Sequence, residues 1–247
     1  MNGMVFFMLD SKTNRKITIS IPAYDVSMFI EECLDSIVNQ KHLSNYDYEI
    51  LVGIDGCDKT KGKLLEIKHN YEFLKVFWFP KNVGGYVVRN TLAYKAMYNN
   101  LIFFDADDIM NDILVLNVIE CLMTYPIVRF MYNNFGEGNW AGRRSKEPAS
   151  GVFGIKNSVF KELGGFVEFR VSSDDEFRDR SMRLGYKTCN IVDKNLFFRR
   201  RHKKSLTGDL TTKSGSVYRS GIYKKIDELH QLRIKKINPV FGECELI

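Results

Sequence analysis

"NLIFFDADDIM", residues 100–110, decides how this chain is read. Four consecutive large apolar residues, Leu101 to Phe104, suit a strand buried on both faces, as in a parallel sheet covered by helices. The run stops at three carboxylates, Asp105, Asp107 and Asp108, with only Ala106 among them. Side chains two apart on a strand point the same way, so an extended chain aims Asp105 and Asp107 together from the strand end. Such acids raise each other's pKa unless a cation neutralises them, and a hard divalent ion prefers oxygen ligands. The competing explanation is an Asp-rich turn in which one acid, Asp108 above all, caps the following helix.

Working outward, "KITISI" (16–21), "YEILVGI" (48–54) and "KVFWF" (75–79) are β-branched and aromatic runs that read as strands, with "LIFF" as the fourth. Between them Phe29, Ile30, Cys33, Leu34, Ile37 and Val38 recur at helical steps, and "KGKLLEIKHNY" and "YVVRNTLAYKAMY" carry two more helices. This alternation predicts an α/β fold: a Rossmann-like, mostly parallel central sheet with helices on both faces. Ligands of such sheets bind beyond the carboxyl ends of the strands, where the polar loops of this chain fall. The second half is less regular. A helix is expected in "ILVLNVIECLM", a strand in "YPIVRFMYNNF", and a strand then a helix in "GVFGIKNSVFKELGGF", stopped by Gly164 and Gly165. "DDEFRDRSMRLGYKTCNI" reads as a helix followed by a strand, and the polar tail beyond about residue 206 receives no assignment.

The 247 residues, 45% hydrophobic and 27% charged, suit one large globular domain. No apolar run reaches the roughly 18 residues of a membrane span. "MNGMVFFML" lacks a basic start, which argues against a cleaved signal. Cys33, Cys57, Cys121, Cys189 and Cys244 are odd in number and scattered, so they point to reduced thiols in a cytoplasmic setting rather than to a disulfide framework or a zinc site. The formal charge of +6 gathers late, in "RRRHKK" (199–204), "YKK" (223–225) and "RIKK" (233–236). Such runs form a solvated face or meet an anion: a nucleotide phosphate, an acidic polymer or a lipid surface.

Four segments together carry a resemblance to the nucleotide-sugar glycosyltransferases of family 2. "ITISIPAYDVSMFIEECLDSIVNQ" resembles their opening strand and helix, and "EILVGIDGCDKT" their second strand and Asp-Gly loop. "NVGGYVVRNTLAYKA" is similar to their Asn-x-Gly-x-x-x-Ala-Arg-Asn helix start, and "LIFFDADDIM" to their Asp-x-Asp strand end. Further on, "GGFVEFRVSSDDEFRDRSMRLGYK" resembles the Gly-Gly-Phe acceptor loop with its Glu-Asp helix, and "RRRHKKSLT" a later His-x-x-Ser-x-Thr segment. The resemblance implies a GT-A domain over residues 1–207, with a nucleotide-binding half at about 16–110, an acceptor-side half at about 111–207, and a basic C-terminal extension over 208–247.

It also implies a metal-dependent, inverting transfer of a sugar from a nucleotide-diphosphate donor, a UDP-sugar foremost, to a hydroxyl of a glycan, lipid-linked or other acceptor. Mn2+ or Mg2+ would be held by Asp107 with His202 and Asp105, and Asp105 would also face the ribose. Pro22, Ala23, Tyr24 and Asp55 would line the nucleoside pocket, and Arg89 would offset phosphate charge. The general base would be Asp174, or Asp175 if the register slips by one; Trp140 and Phe166 would flank the acceptor. The base-recognition loop departs from the family pattern, with Ile54 for the usual first Asp, Asp25 for Asn, and one residue fewer. A haloacid-dehalogenase-like phosphatase also uses Asp-x-Asp with magnesium, but it leaves "SIPAYD" and "GIDGCD" unexplained. A nucleic-acid-binding protein would use the basic runs, yet no recognised motif accompanies them and the three acids oppose phosphate. Nucleic acid as the sugar acceptor and peripheral contact with a membrane both stay open.

Overall fold

The structure is a computed structural model that describes residues 15–139, 141–203, 212, 215–232 and 236–247. β1 (Lys16–Ala23), β2 (Asp47–Asp55), β3 (Leu74–Phe79) and β4 (Asn100–Phe103) alternate with α1 (Ile30–Val38), α2 (Asp58–Ile67) and α3 (Gly85–Lys95). The four strands pair in parallel in the order β3-β2-β1-β4, as the alternation predicts. Within β1, Ile17, Ile19 and Ile21 alternate with Thr18 and Ser20, and all five are fully buried because both sheet faces are covered. The buried Thr18 hydroxyl donates to Glu49 Oε1 (2.7 Å), and Glu49 Oε2 receives Lys75 Nζ (2.8 Å), so this polar pair inside the sheet is satisfied.

The second half adds β5 (Ile109–Met110), α4 (Leu114–Leu122), β6 (Ile127–Gly136), β7 (Phe153–Lys156), α5 (Asn157–Leu163), α6 (Ser173–Arg183) and β8 (Thr188–Arg201). The full sheet runs β5-β8-β6-β7-β4-β1-β2-β3-β9, where β9 is Glu245–Leu246. β7 is antiparallel to both β4 and β6, and β8 lies parallel to β6. Hence β1 to β4, β6 and β8 all run one way, and their carboxyl ends share one edge of the sheet. That edge collects Asp55 at the end of β2, and Tyr24, Asp105 and His202 just past β1, β4 and β8.

β8 is longer than its apolar start foretells. It continues through the charged "RRR" because β6 pairs with it as far as Gly136↔Arg201. The segment after 208, expected as a separate basic extension, is in part built into the domain. α7 (Val217–Gln231) packs Ile222 and Ile226 against Val171. Farther on, Ile237 N–H donates to Leu163 O (3.1 Å), Gly242 N–H to Thr91 Oγ1 (3.0 Å), and β9 pairs antiparallel with β3, covering that sheet edge. Gly164, at φ +84°, ends α5 and lets the 237 carbonyl approach; a Cβ there would sit 1.7 Å from that oxygen.

Phe103, Phe153, Phe160, Phe166 and Phe177 form a buried aromatic cluster between α3, α5 and α6. Behind it Arg180 is fully buried, bridging Glu176 through Nε (2.8 Å) and Nη2 (3.0 Å) and donating to the carbonyls of Leu163 and Gly165. Removing one partner of such a pair strands the other charge. Arg180→Met is therefore expected to lower unfolding free energy by about 3–5 kcal/mol, read from urea denaturation.

Candidate functional site

β4 ends at Phe103, and the three acids do not continue its alternation. Asp108 N–H bonds Asp105 O (3.3 Å), folding 105–108 into a turn that sends the carboxylates in three directions. The expectation that Asp105 and Asp107 share one face of an extended strand is thus corrected. Nor does Asp108 cap α4, whose N-terminal Ile113 amide is received by Asn111 Oδ1 (3.3 Å).

Each acid meets a different group. Asp105 accepts from Arg89 Nη2, while Arg89 Nη1 donates to Gly151 O (2.6 Å). Burial raises the Asp105 pKa, and the Arg89 charge works against that rise. Arg89 itself is only 4% exposed, so it neutralises Asp105 and braces Gly151 instead of facing a phosphate, which corrects the sequence expectation. Asp107 Oδ2 lies 2.8 Å from His202 Nε2, joining the turn after β4 to the end of β8. Asp108 is buried; its Oδ1 accepts from the Arg200 amide (2.8 Å), and its Oδ2 is buried without a hydrogen-bond partner. Burial first, then the charges of Asp107 and Asp105, push its pKa well above the carboxylate range. Arg200 closes the cluster: Nε donates to Asp107 O (2.8 Å), and Nη2 pairs with Glu32. Sequence reasoning missed Arg200, because its role depends on how far β8 extends.

At the ends of β1 and β2, Ala23 is buried while Tyr24 beyond it is 57% exposed, and Pro22 is half-buried. Asp55 ends β2 with both oxygens engaged, Oδ1 by Val83 N–H (2.6 Å) and Oδ2 by Gly84 N–H (3.0 Å). It therefore pins the loop entering α3, where the helix dipole also favours a carboxylate. Burial nevertheless raises its pKa, the two amide bonds opposing the rise.

Asp174 and Asp175 lie in the first turn of α6. Asp174 Oδ1 accepts the Tyr86 hydroxyl, and its Oδ2 lies along Gly151, where an added Cβ would be 3.1 Å away. Tyr86 precedes Arg89 by three residues, so one face of α3 holds both Asp174 and Asp105; that helical spacing was the signal available for Tyr86. Asp175 is tied by Arg178 Nη1 (3.0 Å) and by the Tyr223 hydroxyl from α7 (3.3 Å). Burial, then Asp174, raises the Asp175 pKa.

The segment 149–151 beneath Asp174 is gripped by three arginines. Arg129 Nη1 donates to Ala149 O (3.2 Å) and Ser150 O (3.3 Å), Arg178 Nη1 to Ser150 Oγ (2.8 Å), and Arg89 to Gly151 O. A methyl group at 151 would push on the Asp174 carboxylate. Gly151→Ala is expected to lower the kcat of any reaction that uses the Asp174 carboxylate about tenfold, roughly 1.4 kcal/mol, as read from steady-state kinetics. Phe166 is fully buried, with its ring centroid 5.3 Å from that of Tyr86 and 5.2 Å from that of Phe103. Its side chain is core and offers no face to an acceptor, contrary to the expectation. Trp140 lies outside the described residues.

Among the described residues no three His, Cys, Asp or Glu side chains form a closed metal cage. Two donors, Asp107 Oδ2 and His202 Nε2, are brought together and suit an ion that takes its other ligands from phosphate and water. No helix among them is long and apolar enough to cross a membrane.

The poly(ribitol-phosphate) beta-glucosyltransferase of Bacillus spizizenii is 36% identical over 155 residues, 62% of this chain and 22% of that protein. The chain spans between 15% and 47% of the length of the curated relatives it matches. Among solved structures, S. aureus TarS 1–349 in complex with UDP-GlcNAc aligns with a TM-score of 0.73 at 16% identity, covering 88% of this chain and 66% of TarS 1–349. The mannosyltransferase PcManGT from Pyrobaculum calidifontis, in complex with GDP-Man and Mn2+, aligns with a TM-score of 0.63 at 18% identity, covering 77% of this chain and 58% of the other. These likenesses show the GT-A fold. The profile of glycosyl transferase family 2 matches residues 18–226, taking in every strand from β2 to β8, the acidic turn and both faces of the site; the chain belongs to that family.

Proposed function

We propose that the chain is a metal-dependent, inverting glycosyltransferase that moves a sugar from a UDP-sugar to an acceptor hydroxyl. The observation that carries this is the meeting of Asp107, in the turn after β4, with His202, at the end of β8. Mn2+ or Mg2+ would be held by Asp107 and His202, while Asp105, expected as a further ligand, is paired with Arg89. Bound there, the ion would neutralise the departing diphosphate as a Lewis acid. Tyr24, exposed past β1 beside Pro22 and Ala23, presents a ring to the nucleobase, and Asp55 keeps the adjoining loop in place.

Asp174 is the group assigned to the acceptor. Tyr86 fixes its Oδ1, which leaves Oδ2, over the side-chain-free Gly151, to take the hydroxyl proton. As that proton moves to Oδ2, the acceptor oxygen bonds to the anomeric carbon and the carbon–phosphate-oxygen bond breaks, releasing UDP with inversion. Asp175 has both oxygens tied, and so it orients Arg178 and Tyr223. The acceptor hydroxyl belongs to a glycan, a lipid-linked sugar or a polyol-phosphate chain, the last suggested by the name of the Bacillus spizizenii relative. Incubation with UDP-, GDP- and CMP-sugars plus Mn2+ tests the reading: slow release of UDP from at least one UDP-sugar is expected. Hydrolysis of a phosphate monoester with no nucleotide released would favour the phosphatase and overturn it.

A further inference from the structure

The five cysteines are scattered in the sequence, but the fold brings two of them together. Cys121, in the last turn of α4, and Cys189, the second residue of β8, lie with their Sγ atoms 2.9 Å apart, one thiol donating to the other. That is inside the ~3.5–4.0 Å at which even two carbon atoms reach optimal contact, and closing to the roughly 2.05 Å of a disulfide takes under about 1 Å of movement. Both thiols are free and partly exposed, so a small oxidant reaches them. The other three cysteines stand apart. Cys33 is buried with its Sγ on Asp105 O (3.6 Å), Cys57 Sγ accepts from Thr60 Oγ1 (3.4 Å), and Cys244 packs against the cluster of Leu51, Phe77 and Phe79.

The pair ends a seam that begins at the acidic turn. From there the chain runs back along β8: Ile109 and Met110 pair with Phe198 and Phe197, Asn111 N–H donates to Leu196 O (3.0 Å), and Lys194 Nζ donates to Asn117 Oδ1 (2.9 Å). Asp107 and His202 meet at one end of this seam, Cys121 and Cys189 at the other. Between them β8 shifts register against β6 after Ile191, where Val192 is 55% exposed. The cysteines thus lie on the far side of that irregularity from His202. Among the described residues no third His, Cys, Asp or Glu completes a metal-binding group with them, so the pair is a poor metal site but a complete disulfide site.

We propose that Cys121 and Cys189 are a reversible disulfide site, closed by a low-molecular-weight disulfide, that fastens the end of α4 to the start of β8. The inference stands independently of the sugar-transfer reading. Burial, then the hydrogen bond with Cys189, pushes the Cys121 pKa up to about 12, so Cys121 stays a thiol at neutral pH and the first attack falls to Cys189. Cys189 Sγ loses its proton and bonds to one sulfur of the oxidant, whose S–S bond breaks and releases the other half as a thiol. Cys121 Sγ then displaces the remaining half, which leaves with the Cys121 proton as a second thiol. The protein gives up two electrons and two protons, and the oxidant is reduced to two thiols. The two cysteines are 68 positions apart, so the bond closes a loop that holds β6, β7, α5 and α6 with Asp174, and constrains that part of the unfolded chain.

The test incubates the full chain with oxidised glutathione, removes the reagent, and alkylates the remaining thiols in denaturant. Alkylatable thiols should fall by two from the five of the chain, and mass spectrometry of tryptic peptides should find Cys121 linked to Cys189. The thermal midpoint should rise by about 5 °C or more and return to its starting value with dithiothreitol. Cys121→Ser should trap glutathione on Cys189, Cys189→Ser should leave Cys121 unmodified, and neither variant should show the rise. Cys57→Ser and Cys244→Ser should keep both the link and the rise. Five surviving thiols, glutathione left on either cysteine of the parent, a link between another pair, or a midpoint that oxidation leaves unmoved or lowers would each overturn the proposal.

Discussion

Asp107→Ala is expected to lower sugar transfer by about two to three orders of magnitude, the loss typical when one preorganised group facing the departing charge is removed. Asp107 is the acid that His202 meets directly, and its carboxylate is part-exposed at a turn, so truncation takes away function without opening the core. The thermal midpoint should stay within a few degrees of the parent. Full activity, at any Mn2+ concentration, would remove Asp107 from the mechanism. Asp108→Ala should behave in the opposite manner. Its Oδ1 receives the Arg200 amide inside the protein, so its loss would appear first in stability.

Asp174→Asn is expected to reduce kcat by about 10²–10⁴-fold, the usual contribution of a positioned general base. The amide can still accept the Tyr86 hydroxyl through its oxygen, so the local fold should survive and UDP should bind as in the parent. Asp175→Asn should cost less than tenfold, because that carboxylate is occupied by Arg178 and Tyr223. If the two variants exchanged these effects, the base would be Asp175, and the register of the Glu-Asp helix would be shifted by one.

The first half, as far as β4, was legible because its strands are continuous apolar runs and its helices are amphipathic. β1 to β4 and α1 to α3 fall where "KITISI", "YEILVGI", "KVFWF", "LIFF" and the intervening periodic stretches put them. The acidic turn was legible as a cluster, but its geometry was not. A single hydrogen bond from Asp108 N–H to Asp105 O reverses the chain, and nothing in "DADD" distinguishes that from one more extended residue. β8 was misjudged for a related reason. Arg199, Arg200 and Arg201 lack strand character alone, and only pairing with β6 keeps them extended and delivers His202 to Asp107.

Arg89 and Phe166 show the other limit. A motif gives a residue's place in the chain, but burial decides what it touches. Arg89 is enclosed between Asp105 and Gly151, and Phe166 is enclosed by four other phenylalanines and Tyr86. Likewise α7 and β9 had no legible pattern in the basic tail, since β9 is two residues long and α7 buries only Ile222 and Ile226.

The central claim is that Asp107 and His202 bind a nucleoside diphosphate through a divalent ion. Calorimetric titration of UDP into the protein, once with Mn2+ and once with EDTA, tests it most directly. A Kd at least tenfold tighter with Mn2+, about 1.4 kcal/mol, is predicted, with the gain absent in Asp107→Ala. Equal affinity in Mn2+ and EDTA, or a gain that survives Asp107→Ala, would contradict it.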